Sequence, residues 1–401
     1  MIVIMHSKIK NFLTIFVISF LPTLLIWIPF FFRVKNFWTI PLPQVGMGVI
    51  VSNYDGPLYL VIAKSFYNSN IIKSFPLNLP VEYYAAHFPL FPSLIKIFSY
   101  ILGFPYSMLF VTIVSSFFAL FFFNKISQTF VNKKDAMWLT FVFSLLPARW
   151  LIVKSVGSAE PLFLATTLAS IYFFNKKKYL FAGIAGALAQ LTKSPGILLF
   201  IAYFLYSTAP YISEFATTKF SSWLLKIEFK KKLPLFLIPI SLLLLFIFYG
   251  FAYKDFFAYF HSGDNIHIFF PPFTIFNYSA PWVGTFWLEE VIFVYLFGAL
   301  ALSNLIRNEK GIITWFTAIF FISILFISHR DIIRYSLPIV PFIILAFKET
   351  LLKKEFRYIL AFLAIPIYLF SFGNRLPSFI IKTKNNIDKF LSTNQQTMSC
   401  L

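Results

Sequence analysis

Apolar runs about as long as a bilayer is thick set the first limit on this chain. Phe12 to Phe32 and Leu233 to Tyr253 are each close to the roughly 20 residues a helix needs to cross the hydrocarbon core. In that core every backbone amide must find its hydrogen bond within the protein, which a single apolar run achieves only as a helix. Charged residues make up 12% of the 401 and hydrophobic ones 59%, where soluble domains carry about 25% charge. Length therefore counts spans, and the expected fold class is all-α and polytopic.

The basic excess fits the same frame. A net charge of +19 could point to nucleic acid, but the cations lie in short clusters between apolar runs: Asn175 to Lys178, Lys230 to Lys232, Lys353 to Arg357. That pattern orients helices and meets an anionic leaflet, so the partner it implies is the lipid bilayer and not nucleic acid. The first run follows Lys8 and Lys10 yet lacks a small-residue cleavage site, and reads as a retained first helix. Cys400 is the single cysteine, which permits no internal disulfide and no thiolate metal cluster.

Placing the Lys/Arg clusters inside predicts a cytoplasmic N-terminus and about eleven spans. They run near 12–32, 106–123, 136–153 and 161–174, then two short helices within 179–207 parted at Lys193 to Gly196, then 233–253, 287–306, 312–328, 336–351 and 356–372. The two-helix reading of 179–207 keeps Lys219, Lys226 and Lys230 to Lys232 inside. Residues 33–105 form a long first outer loop within a multi-spanning domain of 1–372, and 373–401 form a polar tail outside. Within that loop Leu58, Ile62 and Phe66 share one helical face with Lys64 off it, as in a helix lying in the interface. Phe88 to Phe104 reads as a second interfacial helix; a true span there would invert everything downstream.

On this topology the polar residues collect on one side. The outer face receives Asp55, Glu82 and His87, then Arg149, Lys154 and Glu160, then His261, Asp264 and His267, then His329, Arg330, Asp331 and Arg334. Ionisable groups at membrane depth are costly and usually functional, so the simplest reading is an outward cavity ringed by carboxylates and cations. Each residue also has a bland reading. Asp55 before Gly56-Pro57 suits an ordinary turn, Glu160 before Pro161 a helix start, and Lys193 a helix end. Arg149 and Lys154 read as snorkels. His261 and His267 are not at zinc spacing and read as satisfied loop histidines, and Asp331 as the internal partner of Arg330 or Arg334.

Several motifs are absent. There is no P-loop, no G-x-G-x-x-G after a strand, no H-E-x-x-H, no G-x-S-x-G and no D-x-D. A nucleotide donor is disfavoured, and no cofactor or metal is expected.

Asp55-Gly56-x-x-Tyr59-Leu60-x-Ile62-Ala63 followed by His87-Phe88-Pro89-Leu90-Phe91-Pro92 resembles the first outer loop of the C-type glycosyltransferases. The likeness is greatest to those similar to the second mannosyltransferase of GPI-anchor synthesis. Ser158-x-Glu160-Pro161-Leu162-Phe163, then Gly183 to Gly196, then His329 to Tyr335 with Pro338 and Pro341, resemble the continuation of that pattern. Members often carry tryptophan or arginine just before the aspartate, where this chain has Asn53-Tyr54.

The resemblance implies a multi-pass transferase of the plasma or inner membrane, working on its outer face. It would move a sugar, mannose by the likeness, from a polyprenyl-phosphate carrier to a hydroxyl of a glycan, lipid or protein acceptor. Asp55 matches the family's catalytic base. One carboxylate suffices to take the proton of the attacking hydroxyl, since the phosphate needs no acid to leave, unlike the two carboxylates of most glycosidases. Arg334, Lys193 and Arg330 are the candidates for the phosphate, arginine being the better fork for its oxygens. His329, Tyr59, His87, Glu160 and His261 complete the expected site. The other reading is a flippase, transporter or ligase for lipid-linked sugars.

Overall fold

The computed structural model describes residues 2–77, 79–212, 222, 226, 228–280, 283, 288–309 and 311–373. Lys219, Cys400 and the expected tail from Asn374 lie outside the described residues. Five described helices are long and apolar enough to cross a membrane: Ile9–Phe31, Phe104–Ser127, Phe229–Ala252, Glu289–Asn308 and Lys354–Gly373. Shorter apolar helices stand between them, among them Tyr179–Gln190 and Ile312–Ile324. The β structure among the described residues is the pairing of Asn36–Phe37 with Ile40–Pro41 and one isolated bridge, Ile268 to Ile327. The chain is therefore an all-α integral membrane protein, and five of its expected spans reach full bilayer length.

Two expected spans are broken. The predicted helix 136–153 forms as Lys133–Leu145 and Ala148–Val153. Pro147 removes an amide and forces Leu146 into an extended conformation (φ −113°, ψ 141°), ending the first helix. The predicted 336–351 helix is likewise split, with Ile332–Ser336, a tight turn at Leu337–Ile339 and Val340–Ala346 in succession. Pro338 and Pro341 fall at those joints. The break within 179–207 forms where expected, between Tyr179–Gln190 and Ile197–Thr208.

The segment 33–105, expected as a first outer loop, is more enclosed than a pair of interfacial helices would be. In the Gly56–Ser65 helix, Leu58, Tyr59, Leu60, Val61, Ile62 and Ala63 are all buried. The Leu90–Leu102 helix does keep two faces, with Phe91, Pro92 and Ile95 buried and Ile97, Tyr100 and Ile101 exposed. Its 13 residues reach only about 20 Å, short of a roughly 30 Å core. A second apolar cluster fixes this loop to the Leu237–Ala252 helix: Leu58, Ile62, Tyr67, Tyr84 and Phe88 pack with Leu245 and Tyr249. Two tyrosines convert that packing into a fixed backbone, Tyr67 Oη donating to His87 O at 2.5 Å and Tyr249 Oη to Ala85 O at 2.7 Å.

Small residues bring the helices close. A Cβ on Gly183 would stand 2.1 Å from Pro234 O, and one on Gly186 would stand 2.5 Å from Ile238 Cδ1. The Tyr179–Gln190 helix thus lies directly on the segment leading into Leu237–Ala252, which draws Lys193, just past its end, toward the first loop.

Candidate active site

The backbone aims Asp55. Tyr54 sits in the left-handed region at φ +50°, a conformation that costs a residue with a bulky side chain on the order of 1–3 kcal/mol and persists where its surroundings impose it. Asp55 then occupies the N-cap of the Gly56–Ser65 helix without making a capping hydrogen bond. The turn explanation for this aspartate therefore fails, because its carboxylate is spent elsewhere. Gly56 is required by space: a Cβ there would meet Val51 O at 2.4 Å. Gly56→Ala is expected to destabilise the protein by about 1–3 kcal/mol through overpacking, read as a lower thermal transition in detergent, and to lower activity by moving Asp55.

One guanidinium joins two carboxylates that are far apart in sequence. Arg334 Nη2 donates to Asp55 Oδ2 at 2.6 Å and Arg334 Nε to Glu160 Oε1 at 2.6 Å. Lys193 Nζ reaches the same Glu160 oxygen at 2.6 Å, and Ser158 Oγ donates to Glu160 Oε2. Glu160 does open the Glu160–Asn175 helix, as its place before Pro161 suggests, and beyond that it is the buried anchor of two cations. Asp55 is the more open carboxylate, its side chain 35% exposed against 4% for Glu160.

A second layer holds Arg334. Its guanidinium lies over the Tyr54 ring at 4.8 Å, a cation–π contact. Tyr54 Oη accepts from Arg149 Nη1 at 2.8 Å, and Arg149 Nε pairs with Asp331 Oδ1 at 2.9 Å. Arg149 is thus no snorkel, and Asp331 pairs with it and not with Arg330 or Arg334. Lys154 is no snorkel either; it is fully buried, donating to Ser19 O at 3.2 Å.

Arg334 and the groups it and Glu160 bind, Asp55 and Lys193, border a cavity of ≈ 370 Å³. Asp55, Tyr59, His87, Glu160, Lys193, His329 and Arg334 of the expected set all line it. Arg330 and His261 do not. Arg330 is exposed, and His261 pairs with Asp255 at 2.5 Å on the surface. Both were placed in the set by sequence proximity to the right loops, which says nothing of direction. Sequence reasoning missed Tyr83, Tyr259, Asn265 and Tyr335, which also line the cavity, and dismissed His267, whose ring lies 4.4 Å from that of His329. An outer-loop histidine was the one signal available; a tyrosine among 20 carries none. Among the described residues no three His, Cys, Asp or Glu side chains stand together as a metal-binding group.

Charge states follow from this packing. Burial opposes ionisation of Asp55, but the Arg334 guanidinium outweighs it and holds the carboxyl below its ordinary value. Burial pushes the His329 imidazole down to about 3, with His267 and Arg334 adding to the effect. His329 Nδ1 accepts from the Asp331 amide at 3.0 Å, so the neutral ring carries its proton on Nε2. His87 and His267 are also lowered, chiefly by burial.

A base that is already ionised gives no acid limb in its ordinary range, and a histidine that stays neutral gives none either. Activity is expected to stay level from about pH 5 to about pH 8 as far as these groups govern it, read from initial rates across that range. A limb near pH 6.5 would contradict the assignment. The depressed carboxyl of Asp55 stabilises the fold above its unfolded value, and this contribution is lost as pH falls through the folded one.

Fold and site together define the class: a helical integral membrane protein with an acid–base and cationic cavity where its first loop meets the bundle. No protein-family model matches the chain, and no curated protein matches it. Among solved structures it is similar to the oligosaccharyltransferase of Archaeoglobus fulgidus in complex with zinc and sulfate, at 15% identity and a TM-score of 0.46, over 90% of this chain and 53% of that one. The chain spans about half the length of that protein.

Proposed function

We propose that the protein is an inverting glycosyltransferase that moves a sugar, mannose by the motif resemblance, from a polyprenyl-phosphate carrier to an acceptor hydroxyl on the outer face of the plasma membrane. The observation that carries this reading is the placement of Asp55 and Glu160 on the two arms of Arg334 within one cavity. The acceptor oxygen attacks the anomeric carbon, its proton passes to Asp55, and the bond from that carbon to the phosphate oxygen breaks with its electron pair. Arg334 and Lys193 receive the charge that develops on the lipid phosphate, the kind of preorganised stabilisation that dominates such steps.

The shared guanidinium couples the two events. A bound phosphate competes with Asp55 for Arg334, and as it does so the field that holds the carboxyl low weakens. Asp55 becomes a stronger base when the donor is in place. Arg330, exposed and outside the cavity, has no part in this scheme.

Purified protein given a synthetic polyprenyl-phosphate hexose labelled in the sugar is expected to release the label to an acceptor or slowly to water. Recovery of intact carrier, or its delivery across a liposome without bond cleavage, would count for a transporter instead.

A further inference from the structure

Beside the catalytic cavity lies a second of ≈ 840 Å³, and the two share Asp264, His267 and His329. Both volumes fall within the roughly 300–1,000 Å³ typical of small-molecule sites. Their linings differ in charge. The inner cavity holds Lys193 and Arg334, whereas the described lining of the outer one contains no lysine or arginine and has Asp264 as its acid. A phosphate is drawn to the first and gains nothing in the second.

The outer cavity has the features of a site for a neutral polyol. Phe269 and Phe270 offer ring surface to it, 46% and 87% exposed, an apolar face on which the C–H side of a sugar ring can lie. Asn277, Asp264 and Thr274 supply polar atoms, and Thr274 Oγ1 is buried without a hydrogen-bond partner among the described residues. The wall is built and not loose, because its strand-like segment is tied to the adjoining loop. Phe269 N donates to Phe326 O at 2.9 Å, Phe273 N to Leu325 O at 2.8 Å and Ser328 N to His267 O at 2.9 Å. The rings of His267 and His329, 4.4 Å apart and tilted at 54° to one another, stand where the cavities meet.

We propose that this outer cavity is the acceptor site and that its ligand is a neutral glycan, whose terminal hydroxyl passes the two histidines to reach Asp55. The assignment rests on the transferase reading above. Charge sorts the substrates: the anionic carrier enters on the side that holds Lys193 and Arg334, and the uncharged chain enters on the side whose described lining has no lysine or arginine.

The test uses full-length protein in detergent and mannotetraose as the probe, with binding read by calorimetry and donor hydrolysis by water read separately. Ala280→Trp fills the outer cavity and Phe270→Ala removes a ring; neither residue lines the inner cavity. Both variants are expected to weaken mannotetraose binding at least tenfold while donor hydrolysis stays within twofold of the parent, and Asp55→Asn is expected to bind the probe normally. Absence of mannotetraose binding to the parent protein, or binding by both variants as tight as the parent's, would overturn the proposal. So would parallel loss of donor hydrolysis and probe binding, since the cavities would then not be separate. Probe binding that both variants weaken, in a protein that never cleaves the donor, would sink the transferase reading alone and leave the glycan site standing.

Discussion

Asp55→Asn is expected to lower the rate of sugar transfer by about 10²–10⁴-fold, the usual worth of a positioned general base, with carrier binding retained. The amide keeps the shape of the side chain and can still face Arg334, but it cannot take a proton from the acceptor. The variant removes one charge from a cluster in which Asp55 and Glu160 balance Arg334 and Lys193. The released arginine should then hold the donor phosphate at least as firmly as before. A drop in turnover without a rise in the donor Kd is therefore the signature, measured by single-turnover transfer beside equilibrium binding. Turnover within threefold of the parent would remove Asp55 from the chemistry.

Arg334→Ala has two expected consequences that separate in the assay. Turnover should fall by about 10²–10³-fold through loss of stabilisation of the leaving phosphate. The protein should also lose about 3–5 kcal/mol of stability, because the buried Glu160 then keeps Lys193 as its one paired cation, with Ser158 beside it. Arg334→Lys separates the two. It restores the charge, and with it most of the stability, but a single ammonium cannot reach both Asp55 and Glu160 as the Nε and Nη2 arms do. Its melting temperature should stand near the parent value while its turnover remains low. Full activity in the lysine variant would mean that the fork has no role in the reaction.

The sequence revealed most about what is local and least about what is joined across the chain. Apolar length and the placement of lysines located the long helices, and the Lys193 to Gly196 break was legible because one span could not place the following lysines inside. Asp55 stood out because a carboxylate in an apolar chain is rare. Its partner did not, since Arg334 lies 279 residues away, and only the packing of the bundle decides which cation meets which acid. Glu160 and Lys193 looked like helix-end charges for the same reason. Arg149 and Lys154 read as snorkels because a snorkel, a buried ion pair such as Arg149 with Asp331 and a buried lysine bound to a carbonyl such as Lys154 with Ser19 look the same in local sequence. Tyr54 was invisible, its role depending on a left-handed backbone and on an arginine stacked above it.

The stereochemistry of the product bears on the central claim most directly. Direct displacement at the anomeric carbon, with Asp55 taking the proton and Arg334 beside the departing phosphate, inverts that centre, and proton NMR of the isolated glycoside against the donor's own anomeric signal should show the opposite configuration. A product that retains the donor's configuration would require a covalent glycosyl-enzyme in place of a general base, and would contradict the account.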